Sequence, residues 1–130
     1  MDDEFEYVII YDNSGGLTKN QCKTQRDQIG ELLSSFKNDD NDNDDSNTNP
    51  RVAFVEIKGV GCQLLVTLDD NLNNDINSYI NFIKNRDCED GEGQTDLGCG
   101  YQVALNEFKR NGKINSIKKI ITISNCEGLS

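Results

Sequence analysis

Oxygen-bearing side chains suited to binding a cation follow the first apolar run of the sequence. Asp12 and Ser14 are two residues apart, and Gly15 and Gly16 come directly after them. Turns rich in Asp, Ser and Gly fold tightly, so this spacing lets a carboxylate and a hydroxyl face one ion. Mg²⁺ prefers oxygen ligands in a near-octahedral arrangement. The pattern predicts a metal site, with simple turn formation as the structural alternative.

Two further oxygen donors stand at comparable places later in the chain. Thr95 follows the glycine-containing segment 91–94 and opens a predicted helix, while Asn125 follows the last apolar run. The candidate metal ligands are therefore Asp12, Ser14, Thr95 and Asn125. We predict that they bind Mg²⁺, or Mn²⁺ or Ca²⁺ in its place, with low affinity because Asp12 is the only carboxylate. The structural alternatives are a helix cap for Thr95 and a strand end for Asn125.

The elements that must position these residues follow from the spacing of apolar side chains. Tyr7–Tyr11 is a short, nearly continuous apolar run, typical of a strand buried on both faces of a sheet. The other elements are helices at Leu17–Lys37, Asp75–Arg86 and Thr95–Arg110, a hairpin of strands Val52–Ile57 and Cys62–Leu68, and a last strand at Ile117–Ser124. This order predicts a three-layer, doubly wound Rossmann-like α/β fold, mostly parallel, with Tyr7–Tyr11 central and the hairpin at one edge. In such sheets ligands bind beyond the carboxyl ends of the strands, where the four candidate ligands would meet.

One low-complexity segment stands apart from this pattern. Asn38–Pro50 has no apolar side chain, which predicts a flexible loop inside a single domain of 130 residues. Its alternating acidic residues are superficially similar to a calcium loop. The central Gly and the final Glu of an EF-hand are absent, so the pattern does not favour calcium binding here.

Composition narrows the classes of function. Lys and Arg total 13 and Asp and Glu total 23, which gives a formal net charge of −10. Such a chain repels nucleic acid and anionic membranes and suits cations or a basic protein partner, although acidity also serves solubility alone. No apolar run reaches the length of a membrane span. Histidine is absent, which excludes Ser–His and Cys–His catalysis, and neither a P-loop nor a dinucleotide-binding glycine motif occurs.

The chain has five cysteines, an odd number that leaves at least one thiol unpaired or paired to another chain. There is no Cys-x-x-Cys and no histidine, so a zinc site of the usual kind is not expected. The acidic start Met1–Glu6 lacks the order of a signal peptide. We therefore expect an intracellular protein with reduced thiols, or an extracellular one if the N-terminus is incomplete. Cys22 and Cys99 are expected to be small core residues.

Three segments in order resemble the von Willebrand factor A domain and its metal-ion-dependent adhesion site. They are the strand ending at Asp12 with Asn13-Ser14-Gly15-Gly16, the segment Gly91–Leu105, and the strand Ile120–Ser124 with Asn125. Gly16 stands where the family has a second serine, and Asn125 where it has aspartate, so a ligand and a charge are lost. The chain also ends after its fourth strand, whereas family domains usually continue. If the chain is truncated in this way, we expect the last strand to have an uncovered edge that pairs readily with another chain.

The resemblance implies a protein-binding, adhesion-type module rather than an enzyme. In the family, the metal completes its coordination with a carboxylate of the partner. A metal-independent intracellular scaffold is the first alternative. The second is a phosphatase of the haloacid-dehalogenase type with Asp12 as nucleophile, a chemistry that needs an acidic residue where this chain has Ser14.

Replacing Asn38–Pro50 with a short Gly/Ser linker should leave the melting temperature nearly unchanged, because this composition cannot repay the entropy of ordering. Thermal unfolding followed by circular dichroism checks the expectation. A loss of several kcal/mol would mean that the segment packs against the domain.

Overall fold

The computed structural model describes residues 4–13, 18–36, 50–58, 61–69, 75–88 and 96–123. In chain order, its elements are β1 (Phe5–Asp12), α1 (Lys19–Ser35), β2 (Arg51–Ile57), β3 (Cys62–Val66), α2 (Ile76–Lys84), α3 (Leu97–Asn111) and β4 (Ile117–Ile123). The predicted order of elements is confirmed, and each boundary lies within a few residues of its predicted place. The loop predicted at 38–50 lies outside the described residues, apart from Pro50.

The four strands form one sheet in the order β3-β2-β1-β4. β1 pairs in parallel with β2 on one side and with β4 on the other, and β3 returns antiparallel to β2. The predicted mostly parallel sheet, with a central first strand and an edge hairpin, is therefore confirmed. Tyr11 lies opposite Ile123 and Asp12 opposite Ile57, so β1, β2 and β4 all end on one side of the sheet. This side is called the carboxyl edge below.

Helices cover both faces of the sheet, and β1 contributes side chains to each face in alternation. Ile9 and Tyr11 belong to the core shared with α1 and α2. Val8 and Ile10 belong to the core on the opposite face, which includes Ala104 of α3. All four of these β1 side chains are fully buried. The alternation of successive side chains along a strand thus produces the three predicted layers.

The start of α3 lies beside the carboxyl edge because glycine allows a close approach there. A Cβ at Gly100 would lie 2.8 Å from the Ile10 side chain, so a larger residue would push the helix away. The N-cap of α3 is Asp96, whose carboxylate accepts the amide of Cys99 at 3.1 Å. The alternative in which Thr95 caps this helix is therefore wrong. A carboxylate is at least as good a cap as a hydroxyl and also faces the positive end of the helix dipole.

The opposite side of the sheet is fastened by a buried carboxylate, Glu6. Its side chain is fully buried and accepts hydrogen bonds from the Arg51 guanidinium, from the Ser116 hydroxyl at 2.7 Å and from the Lys113 amide at 3.1 Å. The Lys118 ammonium lies 3.6 Å away. These contacts tie β1 to β2 and to the turn that leads into β4.

Glu6→Gln should destabilise the protein by about 3 kcal/mol, because Arg51 then loses its buried partner charge and keeps only the exposed Asp69 carboxylate, 3.5 Å away. The matched control is Glu4→Gln, since Glu4 lies on the surface and pairs with Lys113 at 3.5 Å. The control should cost about 0.5 kcal/mol or less. Urea unfolding measures both values, and equal losses would contradict the role assigned to Glu6.

Candidate functional site

Asp12 is the last residue of β1 and is only 4% exposed. Its amide donates a hydrogen bond to the Gln25 side-chain oxygen of α1 at 3.1 Å. Asn13 is also buried, and its amide continues the pairing with β2 by donating to the Ile57 carbonyl at 2.8 Å. The Asn13 side-chain amide donates to the Asp87 carbonyl at 3.4 Å. The chain is therefore held on several sides at the point where a site at the carboxyl edge would begin.

Asp12 is the one candidate metal ligand among the residues that the structure describes. Ser14, Thr95 and Asn125 lie outside them, so the four-residue metal site stays a prediction. The described residues nearest to them in sequence indicate where the site would lie: α3 starts at Leu97, two residues after Thr95, and β4 ends at Ile123, two residues before Asn125. Within the described ranges, no three His, Cys, Asp or Glu side chains are grouped as a metal ion would require.

The oxygen ligands predicted at this edge suit a hard cation, but together they carry little negative charge. Asp12 stands at the carboxyl end of the central strand, which is where open α/β sheets bind ligands. The predicted set offers carboxylate, hydroxyl and amide oxygens, which suit Mg²⁺, Mn²⁺ or Ca²⁺. A single carboxylate offsets little of the cost of dehydrating a divalent ion. The arrangement therefore fits a metal held with low affinity.

A buried polar cluster that the sequence analysis did not predict lies beside Asp12. Glu56 of β2 is fully buried and accepts a hydrogen bond from the Tyr11 hydroxyl at 2.9 Å. Arg86, just after α2, donates to both Glu56 oxygens, with shortest contacts of 2.8 Å and 3.1 Å. The Lys58 ammonium lies 3.5 Å from the same carboxylate. Glu56 thereby joins β1, β2 and the end of α2.

These contacts set the protonation of the cluster. Burial and the charge of Glu56 raise the pKa of Tyr11 far above its usual value, so its hydroxyl keeps its proton and donates it. Burial acts to raise the pKa of Glu56, but hydrogen bonds from Arg86 and Tyr11 outweigh it and lower that pKa. The hydrogen bond to Glu56 in turn raises the pKa of Arg86. Glu56 is therefore a buried carboxylate whose negative charge is stabilised by Arg86 and Lys58.

Arg26 of α1 is a second unforeseen cation at this edge. It is 3% exposed, and its guanidinium carbon lies over the Tyr11 ring, 4.7 Å from the centroid. The sequence does carry a signal, because Arg26 falls four residues after Cys22 and three before Ile29, on the apolar stripe of the helix. Glu56 is likewise a charged residue inside an apolar strand.

Two disulfides close around the carboxyl edge, Cys22–Cys88 and Cys62–Cys99. The expectation of reduced thiols is therefore wrong, whereas Cys22 is buried in the core as predicted. The partners are 66 and 37 residues apart in sequence. Only the folded sheet brings their α-carbons to 5.9 and 6.0 Å, within the range for a disulfide. The fifth cysteine, Cys126, lies outside the described residues.

The disulfides also fix both ends of the segment that carries Thr95. Cys88 is bonded to Cys22 in the first turn of α1, and Cys99 in the first turn of α3 is bonded to Cys62 at the start of β3. Residues 89–95 thus connect two points that are covalently attached to the sheet and to its neighbouring helix.

Solved structures share this architecture although sequence comparison finds no relative. No protein-family model and no curated protein matches the chain. The structure of proximal thread matrix protein 1 from the mussel byssus superposes with a TM-score of 0.72 at 20% identity, over 93% of this chain and 30% of that one. The fold is von Willebrand factor A-like. A second structure of the mussel protein, with a zinc-occupied metal-ion-dependent adhesion site (MIDAS) motif, gives 0.71 at 19% identity, over 93% and 31% of the two chains.

The same fold extends to a bacterial protein. An uncharacterised membrane-spanning protein from Vibrio fischeri superposes with a TM-score of 0.59 at 14% identity, over 85% of this chain and 52% of that one. The chain thus spans about a third of the mussel protein and about half of the bacterial one. No helix among the described residues has the length and apolar character needed to span a membrane.

Acid should destabilise the protein through Glu56. Its pKa is lower in the folded protein than its ordinary value of 4.5, so its contribution is complete above that value and is lost as the pH falls through the folded pKa. Glu56→Gln should lower stability at pH 7 by about 3 kcal/mol and flatten the acid limb of a plot of stability against pH. Glu31→Gln, which changes an exposed carboxylate of α1, serves as the control. An acid limb that is equally steep in both variants would contradict the assignment.

Proposed function

We propose that this chain is a protein-binding module of the adhesion type, which contacts an acidic side chain of its partner through a low-affinity divalent-metal site. The observation that carries the proposal is the position of Asp12. It ends the central strand of a von Willebrand factor A-like sheet, beside the parallel strand β4. Ligands of open α/β sheets bind at this place, where the chain connections on the two sides diverge.

The metal would be Mg²⁺, or Mn²⁺ or Ca²⁺, held by the four oxygen donors Asp12, Ser14, Thr95 and Asn125. When bound, it supplies an open coordination position for a carboxylate of the partner. Support for a divalent ion comes from the mussel matrix protein, whose adhesion-site motif is occupied by zinc. Asp12 and Asn13, which are held by α1 and β2, keep the start of the site in place. No covalent chemistry is required, and we propose a binding protein rather than an enzyme.

We further propose that the protein works in an oxidising, extracellular setting, which replaces the intracellular location expected from the sequence. Disulfides form and persist mainly in secreted and cell-surface proteins, and this chain has two. The solved neighbour from the mussel byssus is a matrix protein, which agrees with this location.

A metal-independent scaffold is the competing function, and one observation favours it. Arg26 already places a buried positive charge at the carboxyl edge, where a metal-dependent site needs negative charge. The partner would then be bound through other surfaces. One such surface is the outer side of β4, which among the described residues pairs only with β1 and so offers free backbone groups to another strand.

Titration with Mg²⁺, Mn²⁺ and Ca²⁺ tests the metal site. Asn125→Asp adds a carboxylate and should tighten binding of Mg²⁺ or Mn²⁺ by about tenfold, and Gly16→Ser should add to this gain. Asp12→Ala should abolish binding in every background. Isothermal titration calorimetry measures each affinity.

The doubly restored variant, Gly16→Ser with Asn125→Asp, decides between the two functions. If it is folded by circular dichroism and binds no divalent ion, the metal site is wrong and the scaffold is the better account. Phosphatase activity that is lost in Asp12→Asn would instead favour the dehalogenase-like alternative.

A further inference from the structure

The exposed apolar side chains of the described residues are concentrated around α3 and β4. Within the described ranges, the large apolar side chains that are exposed are Tyr101, Leu105, Ile114 and Ile117. A groove between α3 and β4 continues this surface, and its apolar lining includes Leu105, Phe108 and Ile120. Apolar surface that is concentrated in one place, rather than scattered, marks an interaction site.

The outer side of β4 borders this groove. The Ile117 amide donates to the Glu4 carbonyl at 2.8 Å, so the backbone groups of Ile117 face β1. Because these groups alternate in direction along a strand, the N–H and C=O groups of Lys118, Ile120 and Thr122 point to the outer side. Among the described residues β4 pairs with β1 alone. Three residues of β4 therefore offer backbone hydrogen bonds beside an apolar groove.

The surroundings of this edge are basic, although the chain as a whole is acidic. Residues 108–123 contain five of the 13 Lys and Arg residues and none of the 23 Asp and Glu residues. Lys109 and Lys118 line the groove, while Lys119 points to the opposite face of the sheet. Lys118 lies 3.6 Å from the buried Glu6 carboxylate, whereas Lys109 and Lys119 make no ion pair within the described part of the chain. A strand placed beside β4 would thus meet positive charge on both of its faces.

We propose that the outer edge of β4 binds an acidic, extended segment of a protein partner, which adds a strand to the sheet. The backbone of this segment pairs with Lys118, Ile120 and Thr122, and its apolar side chains enter the groove between α3 and β4. Its carboxylates lie near Lys109 at the groove and near Lys119 on the opposite face. In this mode of recognition, backbone hydrogen bonds give affinity and alternate side chains give specificity.

A protein segment fits this edge better than a second copy of the chain or another polyanion. Two β4 strands paired with each other would bring two basic strips together, and juxtaposed like charges oppose association. A nucleic acid or an anionic membrane would satisfy the lysines but would leave the backbone groups of β4 unpaired. The inference rests on the proposed role as a protein-binding module, but not on the metal site, because none of these residues is a candidate metal ligand.

Hydrogen exchange of the free protein, followed by NMR in the presence of EDTA, tests whether the edge is open. The amides of Lys118, Ile120 and Thr122 should exchange at least about tenfold faster than those of Lys119 and Ile121, which face β1. Equal protection of the two sets would mean that the edge is already covered, by another part of the chain or by a second copy, and would overturn the proposal.

A fluorescein-labelled peptide of alternating valine and glutamate, titrated in EDTA and followed by fluorescence anisotropy, tests binding. Ile120→Pro removes an outward N–H while the pairing with β1 remains possible. It should therefore weaken binding by about tenfold relative to Ile120→Ala, which keeps that N–H. Should Ile120→Pro not fold, Thr122→Pro and Thr122→Ala make the same comparison.

Charge is tested with the same peptide. Lys109→Glu should weaken binding by about fivefold, while Lys23→Glu, which changes an exposed lysine of α1, should leave it unchanged. A peptide with lysine in place of glutamate should not bind, and equal binding of that peptide would refute an acidic partner.

Two results would overturn the addition of a strand: no binding of the acidic peptide by the wild type, or equal binding by Ile120→Pro and Ile120→Ala. The second result would mean that the basic groups attract anions without pairing of the backbone. Because EDTA is present throughout, these measurements do not depend on the metal site, whose failure would be seen in the divalent-ion titrations alone.

Discussion

Burial of β1 between two parallel neighbours and two helical layers is the constraint on which the rest of the structure depends. From Val8 to Tyr11 its side chains are fully buried, so any polar group there must find a partner within the protein. The Tyr11 hydroxyl requires Glu56, and Glu56 in turn requires Arg86. The charged cluster at the carboxyl edge is in this sense a consequence of placing a tyrosine in the middle of the sheet.

The same constraint explains why the two ends of β1 differ. Glu6, at the start of the strand, is surrounded by donors from Arg51, Ser116 and Lys113, and its charge is balanced. Near the other end, Arg26 lies over the Tyr11 ring, and within the described part of the chain two of its donor atoms have no hydrogen-bond partner. Proteins tend to keep imperfectly balanced polar groups where they bind something. The imbalance at the carboxyl edge and the position of ligand sites in this class of sheet point to the same place.

The architecture was predictable because it depends on local pattern. The uninterrupted run Tyr7–Tyr11 indicates a doubly buried strand, and the apolar spacing of each helix predicts the face that it packs. The charged cluster was not predictable, because Glu56 and Arg86 are 30 residues apart and meet only when α2 lies on the sheet. The disulfide pairing could not be predicted for a similar reason, since five cysteines allow several pairings and the sequence does not choose among them. Three of the four candidate ligands remain expectations from sequence alone, and Asp12 is the one that the structure positions.

The order of the cysteines has a consequence for how the molecule withstands cleavage. Cys62 lies inside the loop closed by Cys22 and Cys88, and Cys99 lies beyond it, so the two covalent loops overlap along the chain. Any single break of the backbone between Cys22 and Cys99 falls within at least one loop. Both pieces then stay attached to each other, and the sheet can keep its strands together. In an oxidised molecule of this kind, a protease cut between Cys22 and Cys99 leaves the two pieces covalently attached, whereas in a reducing environment the same cut would leave them joined by noncovalent contacts alone.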